Sequence, residues 1–350
     1  MSQYLVLSRI KIQNANTIAG FTWGFPAITQ FLGFTHALNR KLPDGYEGDY
    51  PCELTGCMVI ANKVDNKVYK PKEFADLEFL QSKNPPVLAK HKSSSPPIIE
   101  EGKVNLTVSL VLELDKPLSL TLEQIDKLEN YIESLCRSMR IAGGSVLDIA
   151  RVKLLSASTD EQEGIMLKKV QRLCMPGFAL KDQSDYLAQQ VEGVSNSERE
   201  GAPQPILNAW LDFSALKSVA EPKLKEEQTE PNEQTDASWS YEKKVEKREG
   251  YLVPLMVGYK AISEIYDAGQ VECTRDPNTP ARFVEAIHSV GEWLSMHRVC
   301  SIEELIWRYH QHDEWYLCQQ ASKKPDKANS SEIDPNQSQS DIDEETLNLF

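Results

Sequence analysis

The segment from Ile12 to Leu38 carries the residues whose types and spacing could do chemistry, and that chemistry is nucleic-acid binding. Three amides follow a strand-like stretch, and an aromatic-glycine-aromatic-proline turn then leads into a helix pattern. Glycine lets the backbone approach a ligand, aromatic rings stack on bases, and amides hydrogen-bond bases or phosphates. The start of the following helix offers N–H groups to an anion. The candidate RNA-binding residues are Gln13, Asn14, Asn16, Trp23, Gly24 and Phe25.

Four basic residues outside this segment extend the prediction. Lys90 and Lys92 lie in a basic, proline-broken stretch, Arg275 lies in "RDPNTPARF", and Arg298 follows a histidine. Lys and Arg are the side chains that contact phosphate. Each candidate also has a structural alternative, because the aromatic rings could be core, the amides could cap a turn, and Arg275 could pair with an acidic neighbour.

Catalytic chemistry finds less support. The sequence lacks a GxSxG elbow, a GxxxxGK[ST] loop, a GxGxxG loop and a CxxC pair. His310 and His312 lie two apart, a spacing that does not share a face on a helix, so we predict no metal site, and also no cofactor and no catalytic residue. The alternative is a metal-independent endoribonuclease, for which His36, His91 and His297 are the available acid–base groups.

The net charge of −14 argues against indiscriminate nucleic-acid binding, but its distribution is uneven. Seven acidic against three basic residues in 321–350, and six against two in 218–238, account for eight of these negative charges. The segment 1–103 holds 12 basic against 10 acidic residues, so a local basic face is compatible with the acidic chain. No run approaches the length of a membrane helix and the N-terminus does not resemble a signal peptide. We therefore expect a cytoplasmic protein that does not contact a membrane.

The first half of the chain reads strand, helix, strand, excursion, strand, helix, strand. Its clearest strand is "KVNLTVSLVLELD". The second helix opens with Thr121 and Gln124 at capping-box spacing and is expected to close on Gly143 and Gly144. This order predicts an α+β fold with a ferredoxin-like, RNA-recognition-motif-like core.

The second half is predicted to contain an amphipathic helix, with Phe283, Ile287, Val290 and Leu294 at helical spacing, and a last helix over 301–317. These elements would form a C-terminal α+β extension.

The predicted domains follow from these patterns. Residues 1–155 form the core, with a basic, thumb-like excursion at 62–102 that is too long for a simple connection. Residues 156–320 complete the fold and supply a protein interface, with a disordered charged insert at 218–247. The acidic tail at 321–350 is expected to be disordered.

Several long strings resemble the Csy-two family, the Cas-five-type subunits of type I-F CRISPR surveillance complexes. The resemblance runs in order from about residue 4 to 310, and Lys103, the charged insert and the tail depart from the family pattern. The matching strings are "RIKIQNANTIAGFTWGFPAITQFLGFTHAL", "EEGKVNLTVSLVLEL", "RLCMPGFAL", "GYLVPLMVGYKAISEIYDAGQV", "TRDPNTPARFVEAIHSVGEW" and "HRV".

The resemblance implies a non-catalytic RNA-binding subunit with no cofactor. Such proteins bind the 5′ handle of the CRISPR RNA, pair with the large Cas-eight-type (Csy-one) subunit, and abut a Cas-seven-type (Csy-three) backbone subunit near the flanking motif of the target DNA. The excursion at 62–102 would match their thumb. A handle-processing ribonuclease, and the same subunit in a transposon-associated RNA-guided complex, remain alternatives.

Overall fold

The computed structural model describes residues 2–42, 53–80, 82–83, 98–99, 101–195, 205–214, 217–223, 236–242, 250–274 and 276–320. These residues fall into two compact units. The described parts of 2–182, 255–288 and 293–320 form the first unit, and those of 183–254 and 289–292 form the second. The predicted tail at 321–350 lies outside the described residues.

Five helices and eighteen strands make up the described chain. The helices are α1 (Ile28–Lys41), α2 (Leu122–Arg137), α3 (Asp160–Cys174), α4 (Ser184–Ser195) and α5 (Pro205–Ser214), with 3₁₀ turns at Met296–Arg298 and Glu303–Leu305. Among the described helices, none has the length and apolar character needed to cross a membrane. The strands are β1 (Ser2–Asn16), β2 (Ile18–Ala19), β3 (Thr22–Trp23), β4 (Leu54–Asn66), β5 (Val68–Tyr69), β6 (Glu78–Phe79), β7 (Ser82–Lys83), β8 (Ile98–Ile99), β9 (Lys103–Leu114), β10 (Arg140–Ile141), β11 (Gly144–Ala157), β12 (Phe178–Asp182), β13 (Lys217–Pro222), β14 (Ala237–Glu242), β15 (Tyr251–Ala261), β16 (Val284–Ser295), β17 (Trp307–His312) and β18 (Trp315–Gln320).

The main sheet has ten strands in the order β10-β11-β1-β9-β4-β12-β16-β15-β18-β17, and β17 also pairs with β4. The β1–β11, β1–β9 and β4–β9 pairs are antiparallel. In β9 the apolar residues alternate with polar ones, and Val104, Leu106, Val108 and Leu110 are buried as their spacing predicts. The predicted mixed α+β class is therefore confirmed, in the form of a large antiparallel sheet with helices.

Helices α1 and α3 lie on opposite faces of the core strands. The α1 residue Thr35 hydrogen-bonds Cys57 of β4, whereas the next residue, Met58, packs in a cluster with Met166 and Val170 of α3. Successive side chains of a strand point to opposite faces, so the two helices cover different faces. Helix α2 contacts α1 and β11. Its predicted capping box is present.

Glu129 attaches α2 to β11. Its side chain is nearly buried, accepts a hydrogen bond from Lys153 Nζ at 2.5 Å, and accepts another from the Leu154 N–H at 2.9 Å. Replacing Glu129 by Ala leaves the Leu154 N–H without this acceptor, so we expect the free energy of unfolding to fall by about 2 kcal/mol. The matched control is Glu133→Gln in the exposed pair with Arg137, for which we expect a loss below about 0.5 kcal/mol. Urea unfolding followed by circular dichroism measures both, and equal losses would contradict this role for Glu129.

Three predictions about the elements are wrong. The helix expected around Phe283 and Leu294 is the strand β16, and the last helix expected over 301–317 is a short 3₁₀ turn followed by the β17–β18 hairpin. Helix α2 ends at Arg137, and Gly143 lies in the turn that joins β10 to β11. The segments that form β16 and β17 hold apolar residues whose spacing fits either a helix or a strand. Pairing with distant strands decides between the two.

The second unit is small and has its own apolar cluster. Leu187 of α4, Ala209 of α5 and Val290 of β16 are buried together. Residues 218–247 were expected to be disordered throughout, but the structure has the antiparallel hairpin β13–β14 there, with Lys217 opposite Glu242. The described part of this segment therefore forms two strands, and most residues of 218–223 and 236–241 are exposed.

Candidate nucleic-acid interface

One face of the core strands is covered by α3 over only part of its length. Near the start of β1, Tyr4 and Val6 point to this face and pack against α3 together with Val111 of β9 and Ile60 of β4. Ser8, the next residue of β1 on this face, donates a hydrogen bond to the Leu173 carbonyl at the end of α3, at 2.6 Å. Beyond Ser8 the strands continue past the helix.

The residues that follow on the same face are polar and accessible. Lys11 lies opposite Thr107, and Thr107 lies opposite Lys63. Residues opposite one another in adjacent strands point to the same face of a sheet. Lys11 and Lys63 are exposed, and Thr107 is half-buried. We define the polar half-face as Lys11, Gln13, Asn14, Lys63, Asp65, Lys67, Asn105 and Thr107.

Asn14 lies at the centre of the polar half-face. It has a φ of +58° at a register shift between β1 and β9, a conformation that Asn adopts more readily than most residues. Its backbone N–H donates to Asn105 Oδ1 at 3.1 Å, and its side-chain oxygen accepts from Lys67 Nζ. The predicted site residues Gln13 and Asn14 are thus both exposed here.

The polar half-face carries more positive than negative charge. Lys11 is paired with Asp148 of β11 at 3.4 Å, and both side chains are largely accessible. The pKa of Asp148 is lowered first by the hydrogen bond from Arg137 and then by Lys11, so this carboxylate is shared between two cations. Surface ion pairs of this kind contribute little to stability. Lys11 can therefore exchange its contact with Asp148 for a contact with a phosphate group.

A neighbouring group of polar side chains hydrogen-bonds the backbone carbonyls at the end of α3 and just beyond it. Arg9 donates from Nη2 to the Met175 carbonyl. Asn62 Nδ2 donates to the carbonyls of Cys174, at 2.6 Å, and Pro176, at 2.7 Å, and its Oδ1 accepts from Ser109 Oγ at 2.7 Å. These side chains form a structural border of the polar half-face.

The remaining predicted amide and glycine make local contacts. Asn16 Nδ2 donates to the Ile18 carbonyl, and Asn16 Oδ1 accepts from the Ile18 N–H, both at 3.2 Å. The Gly24 N–H donates to both Thr17 oxygens, at 3.0 Å to the carbonyl and 2.8 Å to Oγ1. Both residues therefore close the turn around Thr17 and the β2–β3 hairpin.

The two predicted stacking rings each have an aromatic partner. The ring centroid of Trp23 lies 4.9 Å from that of Phe79, which belongs to the β5–β6 hairpin of the excursion. The ring centroid of Phe25 lies 5.6 Å from that of Phe31 of α1, with the rings stacked, and 4.9 Å from that of Trp293, with the rings in a T-shaped arrangement. Trp23 thus fastens the root of the excursion, and Phe25 is packed against α1. A role of either ring in RNA binding stays a prediction.

Replacing Phe25 by Ala is expected to destabilise the first unit. The ring is half-buried between Phe31 and Trp293, and loss of its area and of two aromatic contacts should cost about 2 kcal/mol. Thermal unfolding of Phe25→Ala and of the packing-conserving Phe25→Leu would show a clear drop for the first and a smaller one for the second. Unchanged melting together with lost RNA binding would instead support a direct contact from Phe25.

Of the four predicted cations, the structure describes Arg298. Arg298 is exposed at the end of the 3₁₀ turn that follows β16, and its carbonyl accepts from Cys300 Sγ at 3.4 Å. Lys90, Lys92 and Arg275 lie outside the described residues. Sequence reasoning did not select Lys11, Lys63 or Lys67. The signal was present in the alternation of "IKIQN" and "NKVDN", but only the strand register brings these positions together.

The candidate acid–base residues lie on separate elements. His36 is exposed on α1, and the exposed His297 accepts or donates at Nδ1 to Ser295 Oγ at 2.8 Å. His91 lies outside the described residues. His310 and His312 lie on a strand, where residues two apart do share a face, yet the described residues contain no cluster of three metal-ligating side chains. Burial raises the pKa of the Cys174 thiol to about 12, which disfavours the thiolate form that a nucleophile requires.

Comparison with known proteins places the chain in one family. The family model for the CRISPR-associated protein Cas_Csy2 matches residues 5–318. The CRISPR-associated protein Csy2 of Pseudomonas aeruginosa (strain UCBPP-PA14) is 33% identical over 315 residues, which covers 87% of this chain and 91% of that protein. The residues that the family model matches include the whole polar half-face. The chain belongs to the Csy2 family of CRISPR-associated proteins.

Proposed function

We propose that this protein is a non-catalytic RNA-binding subunit of a type I-F CRISPR surveillance complex, and that it binds the 5′ handle of the CRISPR RNA. The observation that supports this most is that polar residues of the polar half-face, among them Lys11, Gln13 and Lys63, are exposed in a member of the Csy2 family. Its lysines suit phosphates, and its amides suit base edges and ribose. Recognition of a structured single strand through such contacts is compatible with an acidic net charge.

The strand order supports a ferredoxin-like, RNA-recognition-motif-like core. The strands β11-β1-β9-β4 are neighbours in that order, and α1 and α2 connect β1 to β4 and β9 to β11. This is the order of a split β-α-β unit. RNA-recognition motifs bind RNA on an open sheet face, and here the polar half-face is the open part.

The excursion after β4 is proposed to be a thumb that follows the guide. Its described root is the β5–β6 hairpin, with Val68 opposite Phe79, and its tip residue Phe74 is 95% exposed. Lys70 and Lys72 are exposed in the same hairpin. The hairpin also carries Glu73, Asp76 and Glu78, so its support for the proposal comes from the exposed ring, which suits stacking on an unpaired base.

The proposed partners are those that the resemblance to the family implies. They are the large Cas-eight-type subunit, a Cas-seven-type backbone subunit, and target DNA near the flanking motif. Exposed apolar residues beyond β15 and before β16 offer a surface for a protein partner, among them Ile262, Ile265 and Phe283. We also propose that the protein acts in the cytoplasm.

The binding proposal is tested with purified full-length protein and two RNAs of equal length, the 5′ handle and a scrambled handle. The expected result is tighter binding of the handle, with the RNA recovered intact. Equal affinities for the two RNAs would contradict the proposal.

Repeat RNA tests the alternative ribonuclease function in the absence of divalent cations. Cleavage that disappears in His36→Ala, His91→Ala or His297→Ala would establish the ribonuclease instead. Intact RNA after prolonged incubation is the result that the non-catalytic proposal requires.

A further inference from the structure

Phe21 is an aromatic ring that the fold presents to solvent in a fixed orientation. It occupies the two-residue turn of the β2–β3 hairpin, in which Ala19 pairs with Thr22, and 82% of the residue is exposed. Single exposed apolar residues are common on protein surfaces and by themselves indicate nothing. What distinguishes Phe21 is the set of contacts that hold its ring.

His288 of β16 holds both the ring and the backbone of Phe21. The two rings stack with centroids 5.3 Å apart and planes 29° from parallel. His288 Nε2 lies 3.2 Å from the Phe21 N and 3.3 Å from the Ala19 carbonyl oxygen, so it accepts from the first when its proton is on Nδ1 and donates to the second when its proton is on Nε2. Burial lowers the pKa of His288, so the neutral form is favoured.

Gly20 allows this close approach. Its φ of +59° is unfavourable for other residues, and a Cβ at this position would lie 2.5 Å from two atoms of the His288 ring. Because Gly20 has no side chain, the imidazole packs directly against the hairpin. One face of the Phe21 ring rests on His288, and the ring's high exposure leaves the other face open.

The hairpin starts beside the polar half-face. Thr17 immediately precedes the hairpin; its N–H donates to the Gly102 carbonyl at 3.0 Å, and its Oγ1 donates to Asn66 Oδ1 at 3.3 Å. Asn66 immediately precedes Lys67. Phe21 is four residues from Thr17, so the two lie within about 13 Å of each other at 3.3 Å per residue. A single strand whose phosphates contact Lys67 could thus reach Phe21 within a few nucleotides.

We propose that Phe21, supported by His288, is a stacking platform for one unpaired nucleobase of the RNA strand that binds the polar half-face. The inference rests on the proposed function, since it adds a base contact to the same RNA. A nucleobase is the ligand that an exposed, oriented π-face suits best, and stacking tolerates any base. The apolar side chain of a protein partner is the competing occupant.

The experiment compares wild type, Phe21→Leu and Phe21→Tyr in binding the 5′-handle RNA and a series of the same RNA in which one nucleotide at a time is abasic. Leucine keeps the apolar bulk and removes the π-face, whereas tyrosine keeps the ring. We expect Phe21→Leu to bind the intact RNA about tenfold more weakly and Phe21→Tyr to bind like wild type. One abasic position should weaken wild-type binding by the same factor and leave Phe21→Leu unaffected.

Two controls separate this inference from the proposed function. Trp239→Leu, in an exposed position of β14, should bind like wild type, and circular dichroism should show all variants folded. If wild type prefers the handle and Phe21→Leu matches it on every RNA, the stacking inference is overturned and the proposed function stands. If wild type shows no preference for the handle, the proposed function itself fails. Loss of large-subunit co-purification in Phe21→Ala, with normal RNA binding, would assign the ring to a protein contact and also overturn the inference.

Discussion

Reversing two charges of the polar half-face, Lys63→Glu together with Lys67→Glu, is expected to weaken binding of the handle RNA by at least about tenfold. Lys63 is exposed next to Thr107, and Lys67 reaches Asn14, so both ammonium groups belong to one surface. If each contacts one phosphate, the slope of log affinity against log salt concentration should decrease by about 1.4. Titration with labelled RNA at several salt concentrations measures both effects.

The matched control reverses two lysines away from this surface. Lys116 and Lys127 have highly exposed side chains and pair weakly with Asp115 and Glu123. The double variant Lys116→Glu, Lys127→Glu has the same net charge as the test variant. Equal losses in both variants would mean that only total charge matters, and would remove the polar half-face as the binding surface.

Trp307→Ala is expected to have the largest effect on stability. Trp307 in β17 is fully buried, lies opposite Cys57 of β4, and donates from Nε1 to the Leu180 carbonyl of β12 at 3.1 Å. Truncation leaves a large cavity and a carbonyl with one donor fewer, so we expect a loss of about 4 kcal/mol in the free energy of unfolding. Urea unfolding monitored by far-ultraviolet circular dichroism gives this value.

Trp307→Phe separates packing from hydrogen bonding. It keeps most of the ring area and removes Nε1, so it should lose about 2 kcal/mol. The Leu180 carbonyl retains a donor in this variant, because Gln320 Nε2 lies 3.0 Å from it. A change below about 1 kcal/mol in Trp307→Ala would show that β17 does not help to hold the core together.

The elements that local patterns determine were predicted correctly. The strand β9 follows from the alternation of apolar and polar residues from Val104 to Leu110, and α2 begins where Thr121 and Gln124 form the capping box. In α1, the stripe that contains Phe31 and Leu38 is buried as its spacing predicts. Each of these signals lies within one short segment, so no distant residue was needed to interpret it.

The elements that distant pairing determines were not predicted. Ile287, Val290 and Leu294 fit helical spacing, yet they lie in the strand β16 of the main sheet. In the same way, the positive φ of Asp313 belongs to the turn that joins β17 to β18, a feature that the apolar pattern around Trp307 does not reveal. Short apolar segments are ambiguous until their partner strands are known.

The candidate site was found in part for the same reason. Asn14 was identified by residue type, but the lysines around it come from two separate stretches, which the register of β1 and β4 on β9 brings together. Trp23 and Phe25 were chosen as stacking rings, whereas Phe21 was not. Phe79 and Trp293, which pack on the chosen rings, are far away in the sequence, so exposure could not be inferred from the segment alone.

Lysine reactivity in the presence of RNA tests the central claim most directly. The full-length protein is acetylated briefly with acetic anhydride, with and without saturating handle RNA, and each lysine is quantified by mass spectrometry. We predict that the handle protects Lys11, Lys63 and Lys67 and leaves Lys116 and Lys127 as reactive as in the free protein. Unchanged reactivity of Lys11, Lys63 and Lys67 at saturating RNA would contradict the assignment of the polar half-face as the RNA-binding surface.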